Sequence, residues 1–227
     1  MLNQLKKELN KLKNKKQAEN LQRFFKTKKG EYEEGDIFLG IKVPVQREIA
    51  SKYQDMPLEQ LQTLLSSKIH EYRMISLLIL IKKFKNEKNK IFNFYLKNTK
   101  NINNWDLVDL SAGHIVGSYL LEKDKSILYK LAKSNNLWEK RIAIISTSCF
   151  IKNNNYEDTL NISKILLKDN HDLIHKAVGW MLREVGKKDI NKEEEFLKKY
   201  YKEMPRTMLR YAIEKFGGDK RRFYLGK

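Results

Sequence analysis

Two residues with chemical potential stand four positions apart in Asn104-Trp105-Asp106-Leu107-Val108-Asp109: the indole of Trp105 and the carboxylate of Asp109. At that spacing they share one helical face. The chain around them has 46 Lys and Arg against 28 Asp and Glu, a formal net charge of +18. A carboxylate in such surroundings opposes a polyanionic partner, so it calls for a reason. One reason is stabilisation of a cation that forms on a sugar as its base departs, with aromatic faces supplying cation–π contact. Arg141 and Trp180 are the further members of this set. The structural alternatives are that Asp109 pairs internally with Arg141 or caps a helix, and that both tryptophans are core. Asp106 competes for the carboxylate role, although it points at least about 60° away from Asp109 around a helix. Trp138 has no companion arrangement and reads as packing.

Most candidate residues fall at helical starts. Only Pro44, Pro57 and Pro205 interrupt the chain, and apolar residues recur at three- and four-residue spacing, which predicts an all-α fold. From Met56 onward, helix pairs follow one another. First members are expected near Leu58, Glu87, Asp124, Tyr156 and Ile190, and second members near Ile69, Trp105, Leu137, Asp172 and Pro205. Those second members are separated by 36, 32, 35 and 33 residues. A two-helix period in the mid-thirties predicts an α-solenoid of HEAT-like repeats. One domain, 1–227, is expected, with N-terminal helices over 1–55, repeats over 56–216 and a basic tail over 217–227, read as frayed. The stripe Leu2, Leu5, Leu9, Leu12 is expected to pack against the next helix, and Thr27 to Asp36 reads as a loop.

The fifth residues of the second helices are Arg73, Asp109, Arg141, Lys176 and Leu209. Along a solenoid face they would form a basic, concave groove with one carboxylate near its middle. Trp105 lies a turn before Asp109, and Trp180 a turn after Lys176. Arg183, Arg47, Arg73, Lys176 and Arg210 are candidate contacts to a DNA backbone, individually as consistent with solvated charge. A Lys-rich composition that merely solvates the surface would produce the same net charge.

Other chemistries find less support. His171 and His175, four apart, lack a third ligand, so no metal is expected. Phosphate-binding and dinucleotide glycine motifs and a nucleophile elbow are missing, and no cofactor is expected. Cys149, the single cysteine, lies in the apolar run Ile142 to Ile151 and reads as a buried packing residue. The start of the chain alternates Leu with Lys and lacks a signal-peptide core, and no apolar run spans a bilayer. A soluble, cytoplasmic, nucleoid-associated monomer without a membrane or obligate protein partner is expected.

Six ordered segments carry a family resemblance: Phe38-Leu39-Gly40-Ile41-Lys42-Val43-Pro44 with Arg47; His70-Glu71-Tyr72-Arg73; Asn103 to Asp109; Trp138 to Ala143; Lys176-Ala177-Val178-Gly179-Trp180-Met181-Leu182-Arg183-Glu184; and Pro205 to Ala212. From about residue 20 to 216 the chain resembles the AlkD-like DNA alkylation-repair glycosylases. That resemblance implies HEAT-like repeats cradling double-stranded DNA, and excision of N3- and N7-alkylated purines without metal or cofactor. It implies Asp109 as the catalytic carboxylate, Trp105 and Trp180 as lesion-flanking rings, Arg141 as the active-site Arg and Arg183 as a backbone contact. Lys26 to Asp36 departs from the pattern, being longer and more charged. The family's N-terminal aromatic has only Phe25 and Tyr32 as candidate counterparts here. With no particular Lys marked as a Schiff-base nucleophile, a monofunctional enzyme is expected. A non-catalytic DNA-structure binder and a protein-interaction scaffold remain the other readings.

Overall fold

The computed structural model describes residues 1–226. Its helices, in chain order, are α1 (Leu2–Lys11), α2 (Lys15–Phe24), α3 (Val43–Lys52), α4 (Leu58–Leu65), α5 (His70–Phe84), α6 (Lys88–Lys97), α7 (Trp105–Ala112), α8 (Ser118–Leu120), α9 (Ser126–Ala132), α10 (Leu137–Ser146), α11 (Ser148–Lys152), α12 (Glu157–Ile165), α13 (Asp172–Lys188), α14 (Ile190–Tyr200), α15 (Arg206–Ala212) and α16 (Gly218–Leu225). Among the described residues no strand forms; one isolated parallel bridge joins Ile37 to Ile69. The fold is all-α. The expected second members coincide with the starts of α5, α7, α10, α13 and α15, each within one residue.

The chain divides into two compact units, one ending at Leu107 and one beginning at Val108. In the first, α5 is the central helix, and every residue from His70 to Leu80 is buried. A helix that buries all its faces needs neighbours all round, and α3, α4 and α6 supply them. Helix α1 seats Leu5 and Leu9 in the interior. Its docking is reinforced by Tyr53 Oη donating to Glu8 (2.9 Å) and by the Leu2 amide donating to Gln60 Oε1 (3.0 Å).

The Phe38-Leu39-Gly40 segment owes its form to Glu71. This buried carboxylate accepts the amides of Leu39 (2.9 Å), Gly40 (2.8 Å) and Ile41 (3.2 Å). Three backbone donors satisfy a carboxyl group that is shut away from water. Gly40 is required twice over: its φ is +81°, and a Cβ there would meet the Asn14 carbonyl oxygen at 2.1 Å.

In the second unit α13 is the hub, packed by α10, α12, α14 and α15. Helix starts are set by local caps. Asn136 accepts the Trp138 amide at 2.8 Å to begin α10, His171 Nδ1 accepts the Leu173 amide at 3.1 Å to begin α13, and Asp189 accepts the Asn191 amide at 3.0 Å to begin α14. After α7 the helix widens into a π-helical turn, Gly113–Gly117. A Cβ at Gly117 would lie 2.2 Å from the Ser146 carbonyl oxygen, so the backbones of these segments meet directly.

The expected frayed tail is instead helix α16. Tyr224 is buried and meets Tyr201 and Phe216 edge-on at 5.3 and 5.8 Å, while Gly226 closes the helix in the left-handed region. An aromatic anchor, not the basic charge, decides the conformation of this segment. No helix is long and apolar enough to cross a membrane among the described residues.

Candidate active site

Asp109 projects from the middle of α7, and Arg141 from the first turns of α10. Arg141 Nε donates to Asp109 Oδ1 (2.9 Å) and Nη2 to Oδ2 (2.8 Å), a planar two-pronged pair. Its remaining nitrogen, Nη1, donates to the Leu173 carbonyl at the start of α13 (2.6 Å). Arg141 is only 4 % exposed, so both its charge and its donors are satisfied inside the fold. The internal pairing weighed at the level of sequence therefore exists. It does not close off the carboxylate, which is less buried than its partner and lines a cleft.

That cleft has a volume of about 510 Å³. Asp109, Trp180, Glu184, Cys149, His114 and Lys152 are among its walls, and Lys187 and Lys188 line it as well. Trp180 sits on α13, half-buried, with its Nε1 donating to Glu184 Oε1 (3.1 Å). Gly179 lets this stretch of α13 touch α15: a Cβ there would fall 2.4 Å from the Met208 carbonyl oxygen. Cys149 is not the fully buried packing residue expected from its apolar run. The run belongs to two helices, α10 and α11, and their junction turns Cys149 toward the cleft, with its Sγ 3.6 Å from Ser118 Oγ.

Trp105 belongs to an aromatic stack in the first unit. It lies on Phe25 (5.1 Å, 20°), which lies on Phe38 (5.1 Å, 18°), and Phe38 on His70 (4.5 Å, 21°). Phe24 meets the edge of Trp105 at 6.0 Å and is 64 % exposed. Of the aromatics proposed for an N-terminal contact, Phe25 is buried inside this stack. Phe24, which the sequence reading passed over, is the exposed one. The only signal available was its place as the last residue of α2, one step beyond the buried face.

Below the stack lies a charged cluster. His70 Nε2 donates to Asp106 Oδ2 (2.9 Å), and its Nδ1 faces Asp36 Oδ2 at 3.6 Å. Burial pulls the His70 pKa down, but the Asp106 and Asp36 carboxylates outweigh it and hold it above its ordinary value. Burial, reinforced by the Asp36 carboxylate, pushes Glu33 up to about 10, whereas Asp36 is held at about 2 because His70 and Arg73 overcome the burial penalty. Asp106 is thus the partner of His70, whereas Asp109, paired with Arg141, lines the cleft of the second unit together with Glu184.

Among the candidate DNA contacts, Arg73 is the buried one. It is 3 % exposed, pairs with Asp36 and donates through Nη1 to the Ser67 carbonyl (2.9 Å), so its charge is engaged within the fold. The loop carrying Glu33 and Asp36 folds over it. Arg47 and Arg210 are exposed, with no ion-pair partner among the described residues. Lys176 pairs with Asp172 (2.6 Å), and Arg183 with Glu214 and, at 3.5 Å, Glu184. Leu209 is buried, so the row of fifth residues mixes packing with charge. His171 caps α13 and His175 Nε2 donates to the Asp169 carbonyl (2.5 Å). Among the described residues no cluster of three or more metal-ligating side chains forms.

Paired helices carrying an arginine-clamped aspartate in an aromatic-walled cleft define an all-α protein with a built anionic site. The chain matches the family described as DNA alkylation repair enzyme over residues 5–216 and belongs to it. Its role is therefore in the repair of alkylated DNA, with DNA as its partner. A solved structure, a predicted DNA alkylation repair enzyme from Enterococcus faecalis, superposes with a TM-score of 0.72 at 17 % identity, covering 91 % of this chain and 97 % of that one. At that identity the likeness is one of fold. No curated protein matches the chain in sequence.

Proposed function

We propose that this protein is a monofunctional DNA glycosylase that hydrolyses the N-glycosidic bond of N3- and N7-alkylated purines, leaving an abasic site. The observation that carries the reading is the placement of Asp109, gripped by Arg141, in one cleft with Trp180. Alkylation at N3 or N7 makes the purine cationic. The glycosidic bond breaks with its electron pair moving to the base, which departs neutral and needs no general acid. The deoxyribose is left with oxocarbenium character, and a fixed carboxylate stabilises that charge. Water adds to the sugar carbon, and its proton passes to the carboxylate or to solvent.

Arg141 holds Asp109 in one orientation through both carboxylate oxygens, so little reorganisation accompanies charge development. Trp180, and Trp105 one turn before Asp109 in sequence, are assigned the cation–π contacts that prefer a charged base to a neutral one. Within the first unit Phe24 is exposed beside Trp105. Arg183, Arg47, Lys176 and Arg210 are assigned to the DNA backbone on a basic face; Arg183 and Lys176 would exchange carboxylate partners for phosphate. The same reading makes the protein a cytoplasmic, nucleoid-associated monomer.

The non-catalytic binder is the second reading. Incubation with methylated duplex DNA, followed by quantification of free 3-methyladenine and 7-methylguanine, separates the two. Release in proportion to time supports the glycosylase. Salt-sensitive binding without release supports the binder.

A further inference from the structure

Glu184 follows Trp180 by one turn of α13 and lines the same cleft. An indole has a single hydrogen-bond donor. Here it is committed to Glu184 Oε1 at 3.1 Å. The same oxygen accepts from Lys187 Nζ (2.7 Å), and Arg183 Nη2 lies 3.5 Å from it. One carboxylate thus joins the aromatic wall of the cleft to two cations, Lys187, which also lines the cleft, and Arg183.

Two consequences follow from elementary chemistry. A half-buried Trp on a helix can turn about its side-chain torsions, and an anchored N–H fixes the plane of its ring. Donation to an anion also shifts electron density into the indole, which deepens the negative potential over its face and strengthens attraction for a cation. Lys187 and Arg183 oppose that polarisation while they remain on Glu184. A DNA phosphate would compete for both, leaving the indole as the partner that stays.

We infer that Glu184 is a positioning residue that sets the plane and electron density of Trp180, and so determines the preference for cationic over neutral bases. The inference rests on the glycosylase reading above and extends it to specificity.

The test uses the full chain carrying Asp109→Asn, in which the glycosylase reading expects lesion DNA to bind with base release suppressed. Affinities are measured for duplexes containing 7-methylguanine and its neutral isostere 7-deaza-7-methylguanine. Adding Glu184→Ala is expected to reduce the preference for the cationic duplex by roughly three- to tenfold, about 0.6–1.4 kcal/mol, with little change for the isostere. Glu184→Gln keeps an acceptor oxygen but no charge, and is expected to lose roughly two- to threefold. Should Glu184→Ala fail to fold, the Gln variant decides alone. An unchanged preference in Glu184→Gln, or equal weakening toward both duplexes in Glu184→Ala, overturns the inference, because a purely structural role does not distinguish charge. If Asp109→Asn alone shows no preference for the cationic duplex, the glycosylase reading falls with it.

Discussion

Arg141 binds Asp109 through both carboxylate oxygens, Nε to Oδ1 at 2.9 Å and Nη2 to Oδ2 at 2.8 Å, while its third nitrogen holds the Leu173 carbonyl. This pair therefore both orients the candidate catalytic group and ties α7 to α10 and α13. Removing a buried, hydrogen-bonded ion leaves its partner uncompensated, at a cost of about 3–5 kcal/mol. Arg141→Met is expected to lose about 3 kcal/mol of stability, read by urea denaturation, and to lose base release even under conditions where it stays folded. A variant as stable as wild type would show that the pair is not part of the folded framework.

Arg73 and Arg210 should separate cleanly. Arg210 is exposed, and its replacement by Ala is expected to leave stability within about 0.5 kcal/mol while lowering the slope of log affinity against log salt by about one. Arg73 is buried against Asp36 and the Ser67 carbonyl. Arg73→Met should cost about 3 kcal/mol and leave the salt slope of the folded protein unchanged. Salt titrations of DNA binding alongside denaturation curves measure both. A reduced slope in Arg73→Met would return that residue to the DNA-contacting set.

The cluster around His70 predicts a pH dependence. His70 has a raised pKa in the folded state, so its contribution is complete below its ordinary value of 6.5 and is lost as pH rises through the raised value. Glu33, 1 % exposed, is raised from 4.5 to about 10, so the folded state retains a proton that the unfolded chain releases. Stability from that source falls as pH climbs from about 4.5 to about 10, by at most about 1.4 kcal/mol per unit. Asp36 acts in the other direction, but its contribution is lost only as pH falls below its ordinary 3.8 toward about 2. Above pH 6.5 the two raised groups act in the same direction, and the melting temperature should decline. Glu33→Gln, which cannot ionise, should decline less, its advantage widening with pH. Parallel melting curves for the two proteins would contradict this assignment.

Gly179 sits where α13 meets α15, and an added Cβ would lie 2.4 Å from the Met208 carbonyl oxygen and 2.5 Å from Tyr211 Cβ. Alanine gains about 1 kcal/mol in helix propensity over glycine, whereas overpacking typically costs about 1–3 kcal/mol and more when backbone must move. Both of these neighbours belong to the frame of α15, so the steric term wins. Gly179→Ala is expected to be net destabilising by about 1–2 kcal/mol in denaturant titrations and, by shifting α13, to slow base release through Trp180. Equal or greater stability would mean the helices part without penalty.

The repeat was legible because helix starts depend on local signals: Pro44, Pro57 and Pro205, the caps Asn136 and Asp189, and apolar spacing. The burial of α5 was foreshadowed by the nearly uninterrupted apolar stretch from Met74 to Ile81. Long-range pairing was not legible. Nothing in the charge of Arg73 says that Glu33 and Asp36 will close over it from a distant loop, and the solvent-facing appearance of that loop suggested the reverse. Phe24 and Phe25 are adjacent and identical in type, so only the orientation of α2 distinguishes the exposed ring from the buried one. The basic character of the last residues masked the anchor, Tyr224. The juxtaposition of Asp109 and Trp180 lay between these cases, since the repeat period pointed to it and the cleft contains both.

The central claim is that Asp109 performs chemistry and is more than half of a structural ion pair. Its most direct test is single-turnover release of 7-methylguanine from a duplex with one such lesion, comparing wild type with Asp109→Asn at matched, saturating binding. The account predicts release by wild type, a loss of roughly a hundredfold or more in the variant, and DNA affinity unchanged or tighter once one repulsive charge is gone. Comparable release by the folded variant would contradict it.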